Sequence, residues 1–555
     1  MKNRRRTSVW MINSLLILLV TGCASSSSAI THPANATAKK PIPPLTKNNE
    51  TSNQTEPTPS PGLSLQGVSK DWPTFGNNDW EDRFSPLTAL SPQSATKLRP
   101  DWTVTLPGES GSNESFPLES HGILYVTAMD ASVHAIRVSD GKLLWTYKPV
   151  LHLLDGIPTI NRGVALGDGN VYVLTADDRL IALRESTGQP VFDVSVANEA
   201  KGYFESMAPL YAAGRVYVGS AGGDEGTRGF EAAYDAKTGS RLWQTYTIPA
   251  RGSGWLSASG SHGGGAVWNI PAFDAATNSL FFGTGNPSPD YYGVTRPGAN
   301  PMTDSVVSVD AASGSVHWFD QEVPHDLWDY DVASPPMLFP VDGQLAVGEA
   351  GKDGMWYEWN ATTGESLTPP TAFVKVAHTP PTAAGVREWP GSEGGANYGP
   401  SAYDPLTGMA IIAGINGSQV VHAAPTSHSG YRVDDGTYAQ SPPSGDWTGT
   451  ITAIDVKTGK IQWQVATPTP PIGGVTVTAG GVVLYGQSNG ALTAVDGKTG
   501  STIWQTAVGG PIGSAPIVYE TGGRTYVSVV VGGAASLAGL FPYQGSQEVK
   551  TFLLN

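Results

Sequence analysis

From residue 71 onward the chain alternates short apolar runs with polar, glycine-bearing turns. Ile123-Leu124-Tyr125-Val126-Thr127, Val171-Tyr172-Val173-Leu174-Thr175, Val216-Tyr217-Val218-Gly219 and Val483-Leu484-Tyr485-Gly486 are rich in β-branched and aromatic residues, which read as strands. After most of them comes a turn and an outgoing strand ending in Trp, clearest in Asp235-Ala236-Lys237-Thr238-Gly239-Ser240-Arg241-Leu242-Trp243. Near-copies occupy 310–318, 455–463 and 496–504, and a shortened one runs from Val138-Ser139-Asp140-Gly141 to Trp145. Weaker versions are Ser186-Thr187-Gly188 with Phe192 in the Trp place, Ala361-Thr362-Thr363-Gly364, and Asp404-Pro405-Leu406-Thr407-Gly408. Gly supplies the positive φ of a tight hairpin, Asp or Thr bonds the turn backbone, and the Trp reads as an apolar plug. Several short strands in each repeat of roughly 40–50 residues predict an all-β fold, a propeller of four-stranded antiparallel sheets, and eight copies predict eight blades.

A ring must close, whereas a solenoid need not. The unassigned strand Asp101-Trp102-Thr103-Val104-Thr105 is therefore expected to complete the last sheet beside the late strands at 525–531. One spacing is long: Gly239 and Gly314 stand 75 residues apart, and the excess holds the Gly/Ser/Pro-rich stretches 252–265 and 285–300. With the polar insert 428–447, read as a mobile cover or as decoration, these belong on loop faces, where binding sites are built.

Composition narrows the function. The chain has 555 residues with Gly 67, Pro 43 and 15% charged residues, which means many turns and few amphipathic helices. A net charge of -15 argues against a nucleic-acid partner and leaves a cation site open. The N-terminus carries Lys2, Arg4, Arg5 and Arg6, then an apolar run at 9–20, then Thr21-Gly22-Cys23 with the only cysteine. This resembles a bacterial lipoprotein signal. The expected organisation is a signal peptide at 1–22, a disordered Ser/Thr/Pro-rich tether at 23–67 anchored by lipid on Cys23, and a propeller at 68–555. The protein would then be exported and held at the cell envelope, on its periplasmic or extracellular face.

Candidate chemistry concentrates in Gln321-Glu322-Val323-Pro324-His325-Asp326-Leu327-Trp328-Asp329-Tyr330-Asp331. An acidic surface loop anchored by two aromatics is the plain reading, and a titratable site is the sharp one.

Five motifs in order favour the second. Trp72-Pro73-Thr74-Phe75-Gly76 followed by Asp82-Arg83-Phe84-Ser85-Pro86, then Asn161-Arg162-Gly163, Gly283-Thr284-Gly285-Asn286-Pro287, Arg296-Pro297-Gly298 and the acidic stretch together resemble the pyrroloquinoline quinone (PQQ) dependent dehydrogenases, from about 72 to 531. That resemblance implies an eight-bladed extracytoplasmic enzyme oxidising an alcohol, polyol or sugar by hydride transfer to metal-bound PQQ. It assigns Asp329 as catalytic base and metal ligand, Asn286 and Asp224 as further ligands (with Glu225 an alternative to Asp224), and Asp331 as an extra ligand used by lanthanide-dependent relatives. Cofactor contacts would be Glu114, Arg162, Ser206, Gly222, Gly223, Trp268, Lys352 and Asn397. A hard cation, Ca2+ or a lanthanide, polarises a quinone carbonyl, and a carboxylate takes the hydroxyl proton.

Two departures stand out. The segment where many relatives carry a disulfide between adjacent cysteines is here Gly156-Ile157-Pro158, which argues against a methanol-type enzyme, and Ile472 replaces the Trp of a common Trp-Gly-Gly motif. No Cys-x-x-Cys-His occurs, so electrons are expected to pass to a separate cytochrome or other carrier. The competing classes are a non-catalytic PQQ-repeat propeller acting as a protein-binding scaffold and a sugar-binding lipoprotein whose acidic loop only holds calcium. Substrate-pocket walls are expected from 252–265, 290–296 and 428–447.

Overall fold

Eight blades of four strands, the seventh joined by a short parallel strand at Phe84–Ser85, follow one another along the chain in a computed structural model that describes residues 69–154, 156–249, 263–423, 427–429, 432–434, 438–441 and 446–555. The expected signal, tether and Cys23 lie outside the described residues, as does most of the 252–265 stretch. Blades 1 to 7 occupy 118–147, 164–195, 210–246, 272–321, 337–372, 402–467 and 475–507. Blade 8 takes three strands from 517–554 and its fourth, Leu98–Ser110, from the beginning of the domain. Leu98–Ser110 runs antiparallel to the C-terminal strand Ser546–Leu554, pairing Leu98 with Leu554 and Thr105 with Glu548. The ring closes through the strand that the sequence left unassigned.

Burial explains the apolar runs. The inner three strands of a blade are covered by neighbouring blades on both faces, so Ile123–Thr127 and Asn170–Thr175 are buried almost residue for residue. Outer strands such as Lys142–Tyr147 alternate between exposed and half-buried positions. Among the described residues the only helical pieces are short 3-10 turns.

The turn motif works as expected, but its Trp does not. Asp235 Oδ1 accepts the N–H groups of Lys237 at 3.1 Å and Thr238 at 2.9 Å, and Gly239 sits at φ 70°. Trp243, instead of plugging its own blade, lies half-buried on the next blade's turn. Its Nε1 donates to the Ala311 carbonyl at 3.0 Å, and a Cβ on Gly314 would meet its ring at 2.5 Å. Trp145 over Gly188, Trp318 over Gly364 and Trp463 over Gly500 repeat the contact. Trp102 does the same over Gly141, with Nε1 donating to the Val138 carbonyl at 2.7 Å, and so carries the tie across the closure from blade 8 to blade 1. The Trp is thus an interblade tie. The count of eight also needs correcting in its parts. Asp404–Gly408 is the first hairpin of blade 6, which holds the 455–463 copy as well, while blade 8 has no third turn because its fourth strand comes from the other end of the domain.

Residues 70–85 run beneath the ring. The carbonyls of Asp79, Trp80, Asp82 and Arg83 accept N–H groups from Phe273, Leu338, Tyr403 and Val477, one in each of blades 4 to 7. Arg83 is fully buried, donates to the Val475 and Pro516 carbonyls at 3.0 and 3.1 Å, and faces the Trp72 ring at 5.0 Å. Where the third insert is described, Tyr438–Gln440 pairs with Gln419–His422, and Trp447 is 1% exposed in a large apolar cluster.

Candidate active site

The 321–331 stretch leaves the outer strand of blade 4 and crosses inward to blade 5, which begins at Met337–Val341. Asp326 organises it: Oδ1 accepts Trp328 N–H at 3.0 Å, and Oδ2 accepts Asp329 and Tyr330 N–H at 3.0 and 3.1 Å. This holds Asp329 at φ 65°, a left-handed conformation that costs a non-glycine residue on the order of 1 kcal/mol or more. Arg296, fully buried, binds the insert to the loop through the Pro289, Asp290 and Asp326 carbonyls and Asn300 Oδ1. The surface-loop reading therefore fails. Asp326 and Arg296 serve as braces, Asp326 having gone unassigned in sequence although a carboxylate three residues before Asp329 is the usual signal of such a turn.

Three carboxylates and an ammonium meet there. Lys352 Nζ donates to Asp329 Oδ1 at 3.0 Å and Asp331 Oδ2 at 2.8 Å. Asp331 Oδ1 accepts the Asn286 N–H at 2.9 Å and lies 3.5 Å from Trp268 Nε1. Gly285 permits that approach, since a Cβ there would come 2.4 Å from Asp331 Oδ1. Asp224 joins the group from blade 3, hydrogen-bonded to the Asn286 side chain and in the field of Asp331 and Lys352. Its side chain keeps an exposed face beside them.

Electrostatics follow from this crowding. Burial pushes Asp329 well above the carboxylate range, Lys352 pulls it down, and Asp331 and Asp224 push it up again. Asp224 is pushed up to about 6, first by burial and then by Asp331, against Lys352 and Asn286. Burial alone would lower Lys352, but Asp329 and Asp331 more than offset it and hold the ammonium above its ordinary value. Among the described residues no three His, Cys, Asp or Glu side chains form a cation cage alone. An ion here would take the amide of Asn286 beside Asp224 and Asp329. Asp331 has both oxygens engaged, Oδ2 by Lys352 and Oδ1 by Asn286 N–H and Trp268 Nε1, so it organises the site.

A second cluster faces the first. Arg162 pairs with Glu114 (NH2 to Oε2, 2.9 Å) and donates to Ser206 Oγ at 3.1 Å. Its guanidinium lies between the Trp268 and Tyr398 rings at 4.9 and 4.6 Å, and Trp268 thereby links the two clusters. Glu114 Oε1 accepts Ala535 N–H at 2.8 Å, which ties blade 1's entry to the end of blade 8. Asn397 uses Oδ1 on Tyr398 N–H and one N–H on the Glu393 carbonyl, leaving a single donor spare. Gly222, at φ 89°, and Gly223 let the backbone pass close to Gly202 and Gly264. Ile157 is buried, and Ile472 sits in the central apolar cluster beside Tyr398 and Trp447. Tyr398, Tyr291 and Glu393 escaped the sequence reading because nothing in their spacing marks them.

An eight-bladed ring with ligand-bearing loops gathered over its centre defines a class of quinoprotein dehydrogenase propellers. Residues 72–373 match the family model described as glucose/ethanol/alcohol dehydrogenase, beta-propeller domain, and 448–540 match that of the outer membrane protein assembly factor BamB. The chain is 32% identical to a quinohemoprotein alcohol dehydrogenase of Comamonas testosteroni, over 87% of this chain and 76% of that protein. It is 30% identical to the quinoprotein alcohol dehydrogenase PedH of Pseudomonas putida, over 82% of this chain and 85% of that one. The crystal structure of the Comamonas testosteroni quinohemoprotein alcohol dehydrogenase superposes with a TM-score of 0.80 at 31% identity, covering 88% of this chain and 81% of that one. A europium-containing methanol dehydrogenase shares the fold, with a TM-score of 0.79 at 24% identity. The chain belongs to the PQQ-dependent alcohol dehydrogenase family.

Proposed function

We propose that this protein oxidises an alcohol with PQQ and a Ca2+ or lanthanide ion at the Asp329–Lys352 site, passing electrons to a separate carrier from a lipid-tethered position outside the cytoplasm. The observation that carries the reading is the convergence of Asp329, Asp331, Asp224, Asn286 and Lys352 opposite a buried Arg162. The residues fit the group: a planar polyanion calls for cations and an aromatic face, and Arg162 keeps a buried Nε without a partner while Trp268 and Tyr398 supply rings. When bound, PQQ and its cation supply the electron-accepting carbonyl and the Lewis acid.

The chain's own residues do the rest. Arg162, Ser206 and Lys352 bind and orient the anion, and Asp224, Asn286 and Asp329 hold the cation. Asp329 takes the hydroxyl proton at Oδ2, the oxygen that Lys352 leaves free. Lys352 draws the pKa of this base down against burial, and Asp326 keeps it aimed.

Purified protein reconstituted with PQQ and CaCl2, and separately with LaCl3, should reduce an artificial dye when given primary alcohols. Failure with every alcohol and aldose in both metals would return the chain to the scaffold class.

A further inference from the structure

Beside the catalytic loop lies an open groove of about 650 Å3 whose purpose the chemistry above does not explain. Its walls come from the blade 4 insert, the catalytic loop and the segment 381–383, with Tyr291, Tyr292, Val294, Leu327, Pro381 and Ala383 facing it. Among the described residues His325 is the one imidazole there, and its Nδ1 is already bonded to the Gly298 carbonyl at 2.8 Å. Among the described residues no Asp, Glu, Lys or Arg lines the groove, although the catalytic cluster beside it is crowded with them. Tyr291 belongs to both places. Its ring walls the groove, while its hydroxyl lies 3.5 Å from Asp329 Oδ2, at the outer limit of a hydrogen bond. Gly293 lets the insert close down here, because a Cβ on it would stand 2.6 Å from His325 and 2.7 Å from Leu327.

We propose that this groove seats the apolar tail of a primary alcohol whose hydroxyl reaches Asp329 past Tyr291, so that Tyr292, Val294 and Ala383 set specificity for longer alkyl or aryl alcohols over polyols and sugars. This rests on the dehydrogenase reading above. The physical case is one of desolvation. A polyol in this groove would lose water from hydroxyls that find few partners, whereas an alkyl chain gains from every methylene it buries. Val294, 73% exposed at the groove's edge, is an apolar residue held in water with no packing role of its own, as expected of a rim that an incoming chain covers.

The test uses holoenzyme and a ladder of ethanol, 1-butanol, 1-hexanol and 1-octanol, with glucose and sorbitol beside them. The value of kcat/KM should rise by up to about fourfold per added methylene until the groove is filled, and the two polyols should be poor substrates. Ala383→Trp, which fills the groove from an exposed position, should cut kcat/KM for 1-hexanol at least tenfold and change that for ethanol less than twofold. Val294→Asp should act in the same direction. Equal losses for ethanol and 1-hexanol, no loss for either, or a preference for the polyols would overturn the proposal while leaving the dehydrogenase intact. Should no alcohol be oxidised, the dehydrogenase reading falls first. In that case a 1-hexanol-induced rise in Tm that Ala383→Trp removes upholds the groove, and the lack of such a rise overturns it.

Discussion

Two arcs of the same ring are built from the same repeat and bear different loads. The arc from 448 to 540, which also matches the BamB model, contains none of the residues assigned to the site. Its two motif turns, at 455–463 and 496–504, are regular, and its buried side chains are mostly Val, Ile, Leu and Thr. The arc from 72 to 373 holds Glu114, Arg162, Ser206, Asp224, Trp268, Asn286, Asp329, Asp331 and Lys352. Every carboxyl that burial raises among the described residues lies between Asp79 and Glu393. The repeat is what makes a blade, and the site is made where the repeat is interrupted. Burial of unpaired acids costs stability, and a fold tolerates it where the acids serve a ligand.

The sharpest way to break this contrast is to remove one carboxylate from each arc. Asp329→Asn should lower kcat by a factor on the order of 10^2–10^4 with little change in Tm, as expected for loss of a general base. Asp496→Ala, which loses the bonds from Lys498 and Thr499 N–H at 3.0 and 3.1 Å, should leave kcat within twofold and cost about 1 kcal/mol of stability. Steady-state rates and thermal melts on the same preparations decide it. If the two variants lose activity equally, the division between arcs is wrong.

A second test separates binding from chemistry. Arg162→Met leaves Glu114 buried without its cation, a loss on the order of 3–5 kcal/mol shared between stability and cofactor affinity. PQQ titration followed by fluorescence should show affinity weakened at least a hundredfold. Unchanged affinity would remove Arg162 from the cofactor site.

The interblade ties should ignore the division altogether. Trp243→Ala in the site-bearing arc and Trp463→Ala in the regular one each remove a half-buried ring over a turn glycine and a 3.0 Å bond to a carbonyl. Each should cost about 2–3 kcal/mol, less than a fully buried Trp because one face is already wet. Unequal losses in urea melts would show that the ring is not uniformly tied.

Much of this was legible beforehand, for reasons that differ by residue. Asp235, Gly239 and Trp243 recur at fixed spacing because each is demanded by a local turn, and local demands leave marks in sequence. The interblade role of Trp243 leaves none, since its partner Ala311 is 68 residues away. The same holds within the site. Asp329 and Asn286 sit in compact motifs, whereas Tyr291 acquires its place only beside Asp329 and Tyr398 only beside Arg162, which enters blade 2. Asp331 shows the same limit, since the three donors that meet its oxygens come from separate segments that its motif does not mark.

The effect most diagnostic of buried acid in the site-bearing arc is a dependence of stability on pH. Glu119 and Asp178 are each pushed up to about 8, chiefly by burial, with further acids adding to the rise. Their folded values stand above the ordinary 4.5 and 3.8, so the fold binds these protons more tightly than the unfolded chain does. That contribution is complete below about pH 4 and is lost as pH rises toward 8. Tm of the cofactor-free protein should therefore decline by several degrees from pH 5 to pH 8. Neither residue touches Asp329 or Lys352, so Glu119→Gln with Asp178→Asn should make the decline shallower without altering the alcohol preference. A slope unchanged by both substitutions would assign the pH response to the other raised carboxyls, Glu81, Glu205 and Glu231 among them, and a Tm that climbs over this range would mean that these carboxyls are charged and paired in the folded protein.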